Sequence, residues 1–181
     1  PRFYDIDSGQ ILVDGVDVRQ MIQADLRAKI GFVPQKAVLF AGTIAENIRY
    51  GKENATDEEI SRAAEIAQAS EFIEKLDNQF DYLIAQGGTN VSGGQMQRLS
   101  IARALIRKPE IYIFDDTFSA LDFKTDAKLR AALKKETKKS VVIQRSYQRL
   151  RDEAARLPRV HGKLLDIAVR GGLVHASALD Q

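Results

Sequence analysis

The chain contains no cysteine. That excludes a disulfide framework and any thiolate metal site. Its two histidines, His161 and His175, lack metal-ligand spacing and read as surface residues. No apolar run approaches the roughly 20 residues that a membrane-spanning helix needs, so any membrane role is expected to come through a partner. One-sided charge is missing too. Lysine and arginine number 27 against 25 aspartates and glutamates, a net charge of +2, which is too small to argue for nucleic acid. One more absence concerns phosphate chemistry. No G-x-x-x-x-G-K-[ST] occurs, and Gly51-Lys52 and Gly162-Lys163 have other neighbours. That motif supplies a backbone cradle for phosphates and a hydroxyl for Mg²⁺.

What is present reads as an ordinary folded chain. At 181 residues, 44% hydrophobic and 29% charged, it suits one domain with a real core. Asp14-Gly15 between β-branched flanks is a two-residue turn signal, so residues 9–18 read as a hairpin. Gly31-Phe32-Val33 reads as a short strand ended by Pro34. Thr56 with Glu59 forms a capping box ahead of a helix bearing Ile60, Ala63, Ala64 and Ala67. Ser70 is expected to cap a second short helix with Phe72, Ile73 and Leu76. Ile111 to Phe114 is an apolar run that suits a buried parallel strand. Leu129 to Glu136 reads as a helix and Val141 to Ile143 as another buried strand. The alternation of strand and helix argues for an α/β sheet, with a helix-rich lobe over residues 53–108.

Two stretches carry chemistry. Ser92-Gly93-Gly94 opens a helix through Met96, Leu99, Ala102 and Leu105 that ends near Lys108-Pro109. Its start offers unpaired N–H groups and partial positive charge, and glycines admit a phosphate to the backbone. By itself Ser-Gly-Gly is also a common turn. Asp115-Asp116 closes the apolar strand, where a carboxylate can hold Mg²⁺. Paired carboxylates at that point are also common helix caps.

Taken together, Ser92-Gly93-Gly94-Gln95, Gln97-Arg98, Ile101-Ala102-Arg103-Ala104-Leu105 and Ile111–Asp116 resemble the signature and Walker B motifs of ATP-binding cassette (ABC) ATPases. Phe32-Val33-Pro34-Gln35 followed by Leu39-Phe40-Ala41-Gly42-Thr43-Ile44-Ala45-Glu46-Asn47-Ile48 resembles the exporter branch. The resemblance covers about residues 1–145. It implies an α/β fold: a partial P-loop NTPase (RecA-like) core, an ABC-type α-helical subdomain and a short N-terminal β-hairpin region. It also implies a division into core with Q-loop (1–52), helical subdomain (53–108), core with Walker B and D-loop (109–145) and a diverged or frameshifted tail (146–181).

The resemblance further assigns roles. Ser92, Gly93, Gly94, Gln95 and Gln35 would bind nucleotide, and Asp115 and Gln35 would hold Mg²⁺. Asp116 would be the catalytic base and Gln144 would stand near the switch histidine. Ser119, Ala120, Leu121 and Asp122 would line a dimer seam, although the same run also serves as an ordinary helix start. Phe40, Ile44 and Ile48 are expected in a core whose surface meets membrane-domain coupling helices. The implied cofactors are ATP and Mg²⁺. The implied partners are a second nucleotide-binding domain, in a heterodimer, and a transmembrane domain at the cytoplasmic face of the plasma membrane.

Three departures stand out. The phosphate cradle is missing, and in the family it lies shortly before a segment like Pro1–Asp5, so a fragment lacking the motif is expected, inactive alone and prone to aggregate. Asp116 stands where active members carry glutamate, one methylene longer. Gln144 cannot carry a titrating proton. Aspartate with glutamine resembles the degenerate subunit of heterodimeric exporters. The alternatives are a non-catalytic interaction fragment and a soluble ABC ATPase. The arginines after residue 145 read as a solvated helix rather than a nucleic-acid patch.

Overall fold

A computed structural model describes residues 1–4, 6–145, 164–167 and 176–179. Asp14 and Gly15 have φ of +52° and +76°, both left-handed, as a tight hairpin turn requires. They join β1 (Ile11–Val13) to β2 (Val16–Asp17) in the antiparallel register that the turn signal predicts. The segment read as a diverged tail contributes β8 (Leu164–Ile167), parallel to β1, and β9 (Ala176–Leu179), antiparallel to β8. His161 and His175 fall outside the described residues.

A second sheet is wholly parallel. β3 (Ile30–Val33), β6 (Ile111–Asp115) and β7 (Val141–Arg145) run in the order β3-β6-β7. Both faces of a parallel sheet are buried, which explains its unbroken apolar runs. Tyr112 and Phe114 point into a large cluster with Ile44, Ile60, Leu99 and Leu129. Ile111 and Ile113 point the other way, toward Val13, Val18 and Leu26. Burial pushes the Tyr112 phenol up to about 12. A small antiparallel pair, β4 (Gly42–Thr43) with β5 (Leu83–Ile84), borders the helices.

Most of the helices begin at a local capping signal. α1 spans Gln23–Ala28. α2 (Ile44–Arg49) and α3 (Asp57–Ile66) begin at complete capping boxes on Thr43/Glu46 and Thr56/Glu59. α4 (Ser70–Ile73) does not use Ser70 as its cap. Gln68 turns left-handed at φ +58° and the Ala69 N–H returns to the Ala64 carbonyl. The reversal out of α3 therefore sets the start one residue earlier, and Ser70 is already helical. α5 (Gly93–Leu105) stops before Lys108, whose φ is +48°. α6 (Phe123–Glu136) starts six residues ahead of the apolar stripe at Leu129, because Asp122 caps it through the Thr125 N–H at 2.9 Å.

Ile44 and Ile48 are fully buried, as expected, but Phe40 is half-exposed. Leu39 takes the inward position instead, and Phe40 lies against Tyr50 with ring centroids 4.8 Å apart. Helix α5 packs on α2, α3 and β3, so it joins the helical layer to the sheet. Among the described residues no helix is long and apolar enough to cross a membrane.

Candidate functional site

Ser92 is the N-cap of α5. Its Oγ accepts the Gln95 N–H at 3.2 Å, and Gln95 Oε1 accepts the Ser92 N–H at 2.8 Å. This reciprocal box stabilises the start by about 1 kcal/mol. It leaves the Ser92 O–H as a donor and turns the Gln95 carbonyl inward. Asn90 fixes the approach, accepting the Ala85 N–H at 2.9 Å and donating to the Leu83 carbonyl at 2.8 Å. The two glycines differ. A Cβ on Gly93 would meet nothing within 4 Å, whereas one on Gly94 would stand 3.2 Å from the Ala120 carbonyl. Gly94 therefore lets the turn approach Ser119–Asp122, and packing among the described residues gives no reason for glycine at 93. Ser92, Gly93, Ser119, Ala120 and Asp122 are all exposed at this end, beside Phe123 at 91% exposure.

The carboxylate end of β6 is built differently. Asp115 ends the strand. Asp116 turns left-handed at φ +45°, a conformation that aspartate tolerates better than most residues. Gln35 Nε2 donates to Asp116 Oδ2 at 3.4 Å, so these two predicted site residues meet. Ser119 Oγ donates to the Asp116 carbonyl at 2.9 Å. Gln144 does not join them. It sits opposite Phe114 in the ladder, on the other face of the sheet from Asp115, and its Oε1 accepts from Arg130 Nη1 at 3.1 Å. Arg130 in turn lies over the Phe118 ring at 4.2 Å. The residue opposite Asp115 is Arg145.

Oxygen donors of this kind suit Mg²⁺, which takes few protein ligands and keeps phosphate and water oxygens. Among the described residues no cluster of three acids or histidines forms a metal site without them. The open space over Gly93 likewise fits a phosphate oxygen.

A model of the family described as "ABC transporter" matches residues 2–119. The chain belongs to the ABC transporter family. An uncharacterized ABC transporter ATP-binding protein of Bacillus subtilis, YfiB, is 54% identical over 133 residues, 74% of this chain and 23% of that protein. The β-(1→2)glucan export ATP-binding/permease protein NdvA of Rhodopseudomonas palustris is 45% identical over 179 residues, 94% of this chain and 30% of its own. A bacterial Atm1-family ABC exporter with ATP bound has a similar fold. It superposes with a TM-score of 0.76 at 32% identity, over 93% of this chain and 28% of that one. The chain thus spans less than a third of the length of these two relatives and of this structure. Its sequence and its mixed parallel-sheet architecture are those of an ABC exporter's nucleotide-binding domain.

Sequence reasoning passed over three ABC-domain residues that hold the site together. Gln97 is 2% exposed and donates to the Pro34 carbonyl at 3.1 Å. Arg103 donates to the Asn47 and Val38 carbonyls, at 2.8 and 2.9 Å, and lies over the Phe40 and Tyr50 rings. Burial holds its pKa below the usual arginine value. Thr117, fully buried, donates to the Val33 carbonyl at 3.2 Å. A signal was available for Gln97: with Ile101 and Ala104 it falls on the buried stripe of α5, where a polar side chain must have a partner.

Proposed function

We propose that this ABC domain completes the ATP site of a second nucleotide-binding domain, and that ATP-driven closure of the pair moves a transmembrane partner during export. The observation that carries the reading is the open start of α5. Gly93 has room that none of the described residues occupies, next to a Ser92 hydroxyl and the unpaired N–H groups of a helix start. Ser92 O–H and the Gly94 N–H would donate to the γ-phosphate held by the partner, stabilising charge that grows as the bond to the leaving diphosphate breaks. Ser119, Ala120, Leu121 and Asp122, which the packing of Gly94 brings beside that turn, would face the same seam.

In its own half, Asp115 and the Gln35 carbonyl would hold Mg²⁺, which neutralises phosphate charge when bound. Asp116 would accept a proton from the attacking water. Its shorter side chain and its bond to Gln35 support a weak base, and Gln144, engaged by Arg130 and unable to ionise, supports a degenerate site. Such a domain is expected to act with a partner, in a heterodimer. The loop from Gln35 to Phe40 would receive the membrane domain's coupling helices at the cytoplasmic face of the plasma membrane.

The test is ATP hydrolysis by this chain, by a complete ABC exporter nucleotide-binding domain, and by the mixture. Stimulation only in the mixture, reduced at least ~10-fold by Ser92→Ala, is the expected result. Fast turnover by the chain alone contradicts dependence on a partner. A mixture no faster than the sum of its parts defeats action in trans and favours a non-catalytic interaction module.

A further inference from the structure

One face of the parallel sheet is covered unevenly. Tyr112 and Phe114 of β6 lie beneath the helices, at 3% and 1% exposure. Their ladder partners, Val142 and Gln144 of β7, share that face, yet Val142 is 42% exposed and Gln144 is exposed too. Parallel sheets are normally covered on both faces by helices. α6 sends Leu129 and Leu133 into the cluster of Tyr112 and Phe114. Among the described residues nothing does the same for Val142. A groove of about 440 Å³ runs there between α6 and β7, on an apolar floor of Phe114, Phe118, Leu133 and Val142.

The polar groups of the groove divide into met and unmet. Thr137 Oγ donates to the Leu133 carbonyl and Ser140 Oγ to the Pro109 carbonyl. Arg130 is held on three sides, by Asp126 at 2.7 Å, by Gln144 Oε1 at 3.1 Å and by the Phe118 ring. Lys134 and Lys138 have no hydrogen bond or ion pair with a described residue. Among the described residues no acid lines the groove. The imbalance extends along the element. Residues 123–139 hold seven lysines and arginines against two acids, and both acids, Asp126 and Glu136, already pair with arginine. The helix dipole favours Lys134 in the last turn of α6, but it does not explain a bare Val142 beside the cations.

We infer that this groove receives an amphipathic helix of a partner protein, with an apolar face on Phe114, Phe118 and Val142 and an edge of aspartate or glutamate against Arg130, Lys134 and Lys138. Helix-in-groove recognition needs both halves of that chemistry. Arg130 and Lys134 stand one turn apart, about 6 Å along the axis, so carboxylates at i and i+4 of a helix laid beside α6 match their spacing. A nucleic-acid backbone meets the cations but sets nothing apolar on the floor. The groove lies at the far end of α6 from the Ser92–Gly94 turn. Lys134 is twelve residues beyond Asp122, about 18 Å along the helix. The inference therefore stands apart from the proposed action in trans.

Fluorescence anisotropy of the full chain with a labelled peptide tests it. The peptide is a helix of about 18 residues, or five turns, with leucines on one face and glutamates at i and i+4 along one edge. It is expected to bind, and Lys134→Glu with Lys138→Glu should weaken binding at least ~10-fold. Lys75→Glu with Lys124→Glu reverses the same charge at two exposed positions outside the groove and should weaken binding less than about threefold. Glutamine in place of the peptide's glutamates should weaken it about 10-fold. In wild type, a carbodiimide should join the peptide's glutamates to Lys134 or Lys138, and this mapping decides the matter if the double variant does not fold. Absence of binding, or links only to other lysines, overturns the inference. So does equal loss in the two double variants, or an oligothymidylate that binds as tightly as the peptide, because either reveals a general charge effect. A glutamine peptide that binds equally well overturns the acidic edge. A carbodiimide link from Lys134 or Lys138 to residues 146–163 of the peptide-free chain overturns the partner, because the chain then fills its own groove.

Discussion

At Ser92 the two cap bonds span three residues; around Gln35 the bonds from the side chain and the Val33, Pro34 and Val38 carbonyls span 63 to 84, and only Phe40 is held from nearby, by Asn47. The first end is a helix start whose cap, box partner and glycines are contiguous, so it forms wherever α5 forms. The second has no shape until β3, α5 and β6 have packed. Chemical roles that need a fixed display of donors suit the first arrangement. Roles that must change with the position of a partner suit the second, because its conformation is already a readout of how other elements sit. The difference between the two ends is therefore one of response, and substitutions should expose it.

The largest contrast lies between two glycines of the helical layer. A Cβ on Gly51 would fall 2.1 Å from the Arg103 carbonyl and 2.9 Å from Ile106 Cγ2. Backbone there cannot yield without separating α2 from α5, so Gly51→Ala is expected to cost about 3 kcal/mol or more. Gly93 is exposed and helical with open space around it. Gly93→Ala should leave the unfolding free energy measured in urea unchanged or raise it by up to about 1 kcal/mol, yet abolish stimulation of a partner domain. If Gly93→Ala stimulates like wild type, the space over it does not serve a phosphate. If Gly51→Ala folds normally, the close approach of α2 to α5 is wrong.

Legibility followed the same division. The α5 start, the Asp14-Gly15 hairpin and the parallel strands were readable because each depends on residues a few positions apart, or on an apolar run bounded by proline and aspartate. Ser70 and Phe40 were misread because the decisive neighbours are not local. A left-handed Gln68 sets the start of α4, and Leu39 displaces Phe40 from the core. The run ending at Asp122 was legible as a helix start, and Asp122 does cap α6, although the apolar stripe that marks the helix begins only at Leu129. In the candidate site, Gln35 beside Asp116 rested on resemblance, and although Gln97 and Arg103 lie within the signature run, nothing in that run told what their side chains, or that of Thr117, would bond. Sequence separation hides these bonds, and only burial of a polar side chain betrays one. Gln144 illustrates the reverse: its position in the chain suggests the switch, while strand register directs its side chain to Arg130.

The carboxylate end can be tested for strain with smaller effects. Asp116 holds φ +45°, where alanine is penalised by roughly 1–2 kcal/mol and asparagine is tolerated. Asp116→Ala should lower stability by about 1 kcal/mol, and Asp116→Asn by less than about 0.5 kcal/mol, because it keeps both the left-handed turn and an oxygen for Gln35 Nε2. Chemical denaturation of the pair measures this. Equal losses would show that the charge, not the backbone, governs the site. Equal stability of all three would place the strain elsewhere.

The smallest effect concerns acid. Asp122 caps α6 at the end of the seam-facing run, and the bond it accepts at Thr125 holds its pKa below the ordinary 3.8. A carboxyl whose pKa is depressed by folding stabilises the fold above its unfolded pKa and loses that contribution as the pH falls through the lower, folded value. Asp122 should therefore contribute fully from neutral pH down to about pH 5, and progressively less below pH 4. Asp122→Asn, a good neutral cap, should melt below wild type at pH 7 and converge on it near pH 3. A constant difference in midpoint across that range would mean that the cap works by shape alone. The helix start next to the Ser-Gly-Gly turn would then be as insensitive to charge as the turn itself.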